Sequence, residues 1–394
     1  MTHKAAPLVA TLDQNRCCGC LACVATCCKG SLIESVDSAG FSRPVWNKDL
    51  CVGCGACDSA CPALSPRERD ERVATLWAQS IDSSQLRHSS SGGLFALLAD
   101  KVLDSGGTVY GAAFSDDFSA VEHIRIDDSS DLDRLMTSKY VQSRVSREVY
   151  ESVVSDLVLG QTVLFSGAGC QIAALKGYLG RRKYNGTLLT VDVMCHGVPS
   201  PRLWSDYVEH ISGLMGAPLS SVNFRSKTSG WTSYSLRCKA RNEKEIEESH
   251  SQNWYMKAFL TNHSLRSSCF NCPSKQACGS DLTLGDYWGY EGDAKDLDIE
   301  KGVSAVIVRT KLGEAFLDSI ASEMRFGIAS YEDVSSKNPA LEHSVTPPPG
   351  RDQFISDVSA GIPVASLISK WSFKRSVFDK VKSKLAVLLK KNGR

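Results

Sequence analysis

The chain has 394 residues, and its 45 Lys and Arg balance 44 Asp and Glu to give a net charge of +1. This length predicts roughly two or three domains with a large core, and the balanced charge argues against nucleic acid as a partner. Residues 1–15 lack the apolar stretch of a signal peptide, and no apolar run approaches the ~18 residues that span a bilayer. We therefore expect a cytoplasmic protein whose sixteen cysteines serve as metal ligands, because thiols stay reduced in that compartment.

Two four-cysteine runs with the spacing CxxCxxCxxxC lie close to the N-terminus. The spacing is typical of two-cluster ferredoxins, in which the fourth cysteine of each run crosses to the other cluster because a tight CxxCxxC loop reaches only three corners of a cube. We assign one 4Fe-4S cluster to Cys17, Cys20, Cys23 and Cys61, and the second to Cys51, Cys54, Cys57 and Cys27. Zinc ribbons and disulfides are the alternatives, and two complete runs make both improbable. Cys18 and Cys28 lie outside the pattern and are expected to be free thiols or packing residues.

The ferredoxin-type domain is predicted over residues 1–66, and the charged segment 67–72 reads as a linker into a larger domain over 67–345. Helices are predicted over 91–103, 145–158, 171–179, 201–214 and 253–262, and strands over 108–114, 162–166, 188–194, 222–226, 231–238, 281–288 and 303–309. This alternation favours an α/β or α+β fold, with the two-cluster domain followed by a larger mixed α/β domain. A Pro-rich break at 347–350 then opens a tail over 346–394.

A third metal site is indicated by Cys269, Cys272 and Cys278, which are spaced CxxCxxxxxC and need a fourth ligand from elsewhere. Cys195 is the first candidate because it ends an apolar strand, where α/β sheets carry their sites; Cys170 is the reserve candidate. On spacing alone the set also suits a structural zinc ion. The ferredoxin runs upstream favour a cluster.

A chain of clusters needs an acceptor that couples one-electron transfer to two-electron transfer, and a flavin is the common cofactor for this role. The glycine and hydroxyl turn at Ser90, Ser91, Gly92 and Gly93 opens a helix and can cradle a pyrophosphate, although a plain serine N-cap explains it equally well. A second turn carries Gly167, Cys170 and Gln171 but lacks the third glycine of a dinucleotide fingerprint. Further candidates form a compact polar patch suited to phosphate and ring contacts: Ser138, Lys139, Tyr140, Gln142 and Ser143.

The order of five motifs resembles the beta-subunit family of coenzyme F420 (deazaflavin) hydrogenases and dehydrogenases. The motifs are SSGG at 90–93, SKYVQS at 138–143, CHGVPSP at 195–201, FRSKTSGW at 224–231 and CFNCPSKQACGSDLTLGDYWG at 269–289. The chain is most similar to the bacterial iron–sulfur flavoprotein branch with a fused N-terminal 4Fe-4S ferredoxin domain. It departs from the family at Ala168 and Gly169, where threonine and proline usually precede the Cys-Gln pair.

The resemblance implies that the larger mixed α/β domain binds FAD near residues 90–93, 138–143 and 167–171. It also implies a cluster close to the flavin ring on Cys195, Cys269, Cys272 and Cys278. His196, beside Cys195, is then expected to be a proton donor or a neighbour of the flavin; a histidine that is only hydrogen-bonded in a turn is the alternative. The expected activity is that of an oxidoreductase that passes electrons between clusters and FAD to reduce or oxidise an organic two-electron substrate, with a link to surface-polysaccharide synthesis. A non-enzymatic subunit that relays electrons to a partner enzyme is the other hypothesis. The partners are then a redox protein or a small-molecule carrier.

The segment 367–394 carries nine Lys or Arg against one Asp, with apolar residues at helical spacing. This pattern predicts a basic amphipathic helix that lies on an anionic membrane surface or docks on protein. A peripheral membrane contact is therefore one of two expectations for the tail.

Overall fold

The computed structural model describes residues 6–180, 182–291 and 297–373. In this part of the chain the cysteine runs form a small N-terminal module with one hairpin, in which β1 pairs antiparallel with β2. Its elements are α1 (Leu8–Thr11), α2 (Ala22–Thr26), β1 (Leu32–Val36), β2 (Ser42–Trp46) and α3 (Ala56–Ser59). Both short helices α2 and α3 directly follow a residue in the left-handed conformation, Leu21 and Gly55 respectively.

An eight-stranded mixed sheet forms the centre of the larger region, in the order β13-β3-β12-β11-β7-β6-β4-β5. Its strands are β3 (Ala74–Ser80), β4 (Thr108–Phe114), β5 (Val121–Ile126), β6 (Thr162–Ala168), β7 (Thr187–Val193), and, after a second sheet, β11 (Leu282–Asp286), β12 (Ser304–Val308) and β13 (Met324–Ile328). The strands β4, β6, β7 and β11 run parallel, and the remaining pairings are antiparallel. The parallel strands read as apolar runs because helices or the N-terminal module cover both faces.

The second sheet has three antiparallel strands, β8 (Leu219–Ser226), β9 (Ser235–Ala240) and β10 (Glu245–Ser249). The helices of the larger region are α4 (Ser83–Arg87), α5 (Leu94–Asp104), α6 (Leu132–Leu135), α7 (Arg147–Val158), α8 (Gly169–Leu179), α9 (Pro201–Met215), α10 (Trp254–Leu260), α11 (Lys311–Ser319), α12 (Tyr331–Lys337), α13 (Arg351–Ser359) and α14 (Val364–Lys370). One core lies between the second sheet, α9 and α10; another lies between α7, α8 and the cysteine module.

The prediction of a mixed α/β architecture is confirmed, while the domain limits at 66 and 345 stay predictions. Helix α5 begins at Leu94 rather than at residue 91, because Ser91 and Gly92 form tertiary hydrogen bonds and Gly93 adopts a φ of +86°. The segment 67–72 is not a free linker, since the Asp70 carboxylate accepts the amides of Cys278 and Gly279. None of the described helices combines the length and hydropathy that a membrane-crossing helix needs.

Candidate functional site

The first predicted cluster set comes together in the N-terminal module. Cys17, Cys20, Cys23 and Cys61 line one small cavity, together with the extra Cys18. Burial raises the pKa of the Cys61 thiol to about 11, so the metal-free thiol is neutral and a cluster must displace its proton on binding. The crossed pairing of Cys61 with the first run is therefore compatible with this geometry.

The second set is more open to solvent. Cys27, Cys51 and Cys57 lie near one another, close enough for their charges to interact. Cys54, the fourth predicted ligand, is exposed. The Cys51 thiol also contacts the Trp46 side chain and the backbone of Gly53.

Three members of the third set, with Cys170, line a cavity that is partly open to solvent at the carboxyl ends of β6 and β7. Cys170 stands in the first turn of α8 and Cys195 follows β7, and adjacent parallel strands bring both to the same sheet edge. Cys269 and Cys272 reach the cavity from the turn over 267–272. The amide of Val198 donates to Cys269 Sγ at 3.4 Å, a contact that tunes thiolate ligands in iron–sulfur sites.

Cys278 does not line this cavity, although the spacing predicts it as a ligand. Its backbone amide donates to Asp70 Oδ2 at 3.0 Å, and its thiol lies 3.4 Å from the same oxygen. Burial and the neighbouring Asp192 and Asp70 carboxylates raise the pKa of this thiol. The pKa of Cys170 is raised as well, so the position at the cavity, rather than the pKa, distinguishes the two thiols. The geometry therefore favours Cys170, the reserve candidate, as the fourth member of the set.

Cys18 connects the two regions. Its side chain lines both the first cavity, with Cys20, and the larger cavity, with Cys170. One side chain therefore separates a predicted ligand of the N-terminal cluster from the third cysteine set.

His196 lines the larger cavity, next to Cys195. Its Nε2 is 2.7 Å from Asn262 Oδ1, so the ring nitrogen donates and the amide oxygen accepts. Burial lowers the pKa of His196, so the imidazole is neutral near neutral pH. It can hold one proton at Nε2 and accept another at Nδ1.

The predicted phosphate turn meets the polar patch. The amide of Ser138 donates to Ser90 Oγ at 2.7 Å. Ser91 Oγ and the Gly92 amide, however, bond to Val303 O and Ser304 Oγ. A Cβ at residue 92 would lie 2.4 Å from Ala78 O, so packing alone requires that glycine.

Three cations lie near this turn: Arg225 is buried, whereas Lys139 and Lys227 are half-buried. Arg225 Nη2 donates to Ser90 O at 3.2 Å, and Lys227 Nζ donates to Ser91 O at 3.0 Å. Burial lowers the pKa of Lys227 and of Lys139 to about 7. Among the described residues, neither lysine forms a salt bridge, and Arg225 Nε is buried without a hydrogen-bond partner. A site of this kind fits a bound diphosphate, because an anion would restore the charge of both lysines.

The other predicted flavin contacts are distributed around the two regions. Gln171 caps α8 through the Ala168 amide and donates to Ser143. Gln142 instead faces the cysteine module, where its Nε2 donates to Cys18 O at 2.9 Å. Tyr140 stacks on Phe259, with 4.8 Å between ring centroids, on the side of the second sheet. Gly167 lies beside Gln171, where an added Cβ would be 3.0 Å from its Oε1.

The cysteine groups suit clusters in their donor type and in their surroundings. Arg266 and Lys275 line the larger cavity, and Lys275 Nζ donates to Cys195 O, so positive charge faces the place where an anionic cluster would lie. Within residues 6–180, 182–291 and 297–373, no three His, Cys, Asp or Glu side chains converge closely enough to hold a single metal ion.

Sequence reasoning missed Arg225, Lys227 and Arg266 as site residues. The first two stand in the FRSKTSGW motif, whose basic pair signalled an anion site. Arg266 precedes Cys269 by three residues, and nothing in the local pattern indicates its tertiary contacts. Asp286 pairs with Arg225 at 2.9 Å and accepts a hydrogen bond from Trp231 Nε1.

Comparison with known proteins agrees with this geometry. Residues 44–64 match the family model described as 4Fe-4S binding domain, so the chain is an iron–sulfur protein. Residues 160–334 match the model described as the C terminus of the Coenzyme F420 hydrogenase/dehydrogenase beta subunit. This match, which covers 160–334, agrees with the resemblance that the order of motifs predicted.

Among solved structures, the chain is similar to a chain of the F420-reducing NiFe hydrogenase complex from Methanosarcina barkeri, determined as a xenon derivative. The identity is 17%, the match covers 69% of this chain and 88% of that chain, and the TM-score is 0.48. No curated protein matches the chain.

Proposed function

We propose that this chain is an iron–sulfur flavoprotein oxidoreductase that passes electrons between 4Fe-4S clusters and FAD to reduce or oxidise an organic two-electron substrate. The observation that carries the proposal is the position of Cys18, which lines both the small cavity of Cys20 and the larger cavity of Cys170. It joins the N-terminal cysteine loop to a cavity that holds three more cysteines and His196. Electrons can therefore pass between two metal regions and the larger cavity within one protein.

In this proposal Cys170, Cys195, Cys269 and Cys272 hold the third cluster, since these four line the same cavity. Lys139, Arg225 and Lys227 bind the FAD diphosphate beside Ser90 and Ser91, where the two half-buried lysines form no salt bridge with a described carboxylate. When bound, FAD would exchange single electrons with clusters and electron pairs with the substrate. Asn262 orients the His196 ring through Nε2, which leaves Nδ1 to accept or return a proton at the cavity.

The proposed substrate class is inferred from the motif resemblance alone, and it is an organic carrier or a precursor of surface polysaccharide. The partner is a redox protein or small-molecule carrier, and electron flow in either direction is compatible with the chain because cluster potentials span roughly −700 to +450 mV. The basic pattern over 367–394 supports a peripheral contact with an anionic membrane.

The test is anaerobic purification of the full chain, followed by iron, sulfide, zinc and flavin quantitation. We expect about twelve irons per chain and a flavin spectrum that bleaches with a small-molecule donor. About eight irons and one zinc would contradict the third cluster. Clusters without a substrate-reducible flavin would favour the relay hypothesis, and protein without iron or flavin would overturn the proposal.

A further inference from the structure

Arg266 is buried at the junction between the N-terminal cysteine module and the larger cavity, with 1% of its surface exposed. Its Nε donates to Cys17 O at 2.7 Å and its Nη2 to Ser42 O at 2.9 Å, both in the cysteine module. Its Nη1 donates to Gln142 Oε1 at 3.1 Å. The same side chain lines the cavity of Cys170 and Cys195. One guanidinium therefore contacts both metal regions.

All of these acceptors are neutral oxygens, and no carboxylate pairs with Arg266 in the part of the chain that the structure describes. A guanidinium stays charged even when buried, and a buried charge without a counter-ion is costly. An iron–sulfur cluster with its thiolates is anionic. A cluster on the loop that Arg266 contacts would supply the missing negative charge.

The cysteine loop is shaped to admit this side chain. Gly19, between Cys17 and Cys20, has a φ of +68°, and a Cβ there would lie 2.6 Å from Arg266 Nη1 and 2.8 Å from Ser42 O. Only glycine leaves room for the guanidinium against this loop. Gln142 also links Arg266 to the cysteine loop, because its Nε2 donates to Cys18 O and its Oε1 accepts from Arg266 Nη1.

We propose that Arg266 is a positioning residue for electron transfer, which fixes the Cys17–Cys20 loop against the larger cavity and raises the reduction potential of the cluster on that loop. The inference rests on the proposed function. Reduction adds one negative charge to a cluster, and a fixed positive charge nearby in a low-dielectric site favours the reduced form.

The test compares R266Q, which keeps a hydrogen-bond donor but loses the charge, with R266K, which keeps the charge. The matched control is R144Q: Arg144 also reaches the cysteine module, but it pairs with the Glu34 carboxylate at 2.7 Å and is 41% exposed. Each full chain is reconstituted anaerobically and titrated potentiometrically with detection by electron paramagnetic resonance. The signal that Cys61→Ser alters identifies the N-terminal cluster.

We expect R266Q to shift the reduction equilibrium of this cluster at least tenfold toward the oxidised form, about 59 mV for a one-electron couple. R266K and R144Q should stay within twofold of the wild-type equilibrium. If R266Q does not retain the cluster, R266K with the wild-type potential still supports the role of the charge.

Clusters that are present in R266Q with the wild-type potential would overturn this inference and leave the proposed function intact. An equal shift in R266Q and R266K would also overturn it, because the charge would then be irrelevant. Wild-type chain without iron would overturn the proposed function and this inference together.

Discussion

Cys278 is buried and Cys170 is half-buried near the third cysteine set, and their surroundings differ. Cys170 lies near Cys18, Cys195 and Cys272, whereas Cys278 faces the Asp70 and Asp192 carboxylates. A thiolate among carboxylates is disfavoured, and one that shares a cluster with other thiolates is stabilised by iron. The choice of fourth ligand therefore depends on tertiary surroundings rather than on spacing.

We expect Cys170→Ser to lose about four of about twelve irons per chain, because one whole cluster loses a ligand. Cys278→Ser is the matched control and should keep its iron, since a serine can still donate to Asp70. Iron and sulfide quantitation of the anaerobic proteins measures both. Loss of iron in the Cys278 variant alone would restore the assignment that the spacing predicts.

Lys227 provides a second test at the residue scale. Its Nζ donates to the carbonyls of Leu86 and Ser91 at 3.0 Å each, and burial holds its pKa at about 7. If a diphosphate binds here, Lys227→Met should weaken FAD binding roughly tenfold or more, the value of one charge-assisted hydrogen bond. Fluorescence titration of the deflavinated protein measures the dissociation constant.

Lys301 is the control for that measurement. It lies in the same neighbourhood, but its side chain is 37% exposed and pairs with Asp298 at 3.0 Å. Lys301→Met should leave FAD binding unchanged. Equal affinities of the Lys227 and Lys301 variants would place the diphosphate elsewhere.

At the scale of elements, helix α8 both starts at the larger cavity and packs on the N-terminal module. Gly177 makes that packing close: a Cβ there would lie 2.7 Å from Ala60 O, directly before Cys61. We expect Gly177→Ala to destabilise the protein by about 1–3 kcal/mol, as overpacked interfaces do. The variant should also load less iron, because Ala60 and Cys61 must move.

Gly213 in helix α9 is the matched control, since a Cβ there would contact nothing within 4 Å. Gly213→Ala should stabilise the protein by about 0.5–1 kcal/mol through reduced backbone entropy of the unfolded chain. Urea unfolding of both variants measures the difference. Equal stability of the two would show that α8 does not press on the cysteine module.

The elements that sequence patterns predicted best are those with local causes. Strand β4 matches its predicted bounds, 108–114, and α9 starts at its predicted residue because Ser200 caps it and proline occupies its first position. Strands β5 and β13 lie at the sheet edges and were not predicted, since their apolar residues are interrupted by exposed polar ones. The eight N-terminal cysteines follow from spacing, whereas Arg266 and the cavity position of Cys170 arise only when distant segments meet.

At the scale of the whole molecule, the described chain ends with a docked segment. Val364 and Leu367 are buried in the core of α9 and α10, and Trp371 Nε1 donates to Asp357 at 2.8 Å. Most of the predicted basic amphipathic helix, residues 374–394, lies outside the described residues. The structure shows docking for Val364, Leu367 and Trp371, and for residues 374–394 docking and membrane contact both stay predictions.

Two truncations separate these stretches. A chain that ends at Pro363 should be less stable than one that ends at Phe373 by about 3–6 kcal/mol, because it loses the burial of Val364 and Leu367. Thermal melting of the two proteins measures this difference.

If residues 374–394 provide the peripheral contact, the full chain should sediment with anionic vesicles and the chain ending at Phe373 should not, since basic residues near an anionic surface each contribute about 1 kcal/mol. Equal sedimentation of the two proteins would show that these residues have no membrane role. Neutral vesicles are the control for charge, and the full chain should not sediment with them.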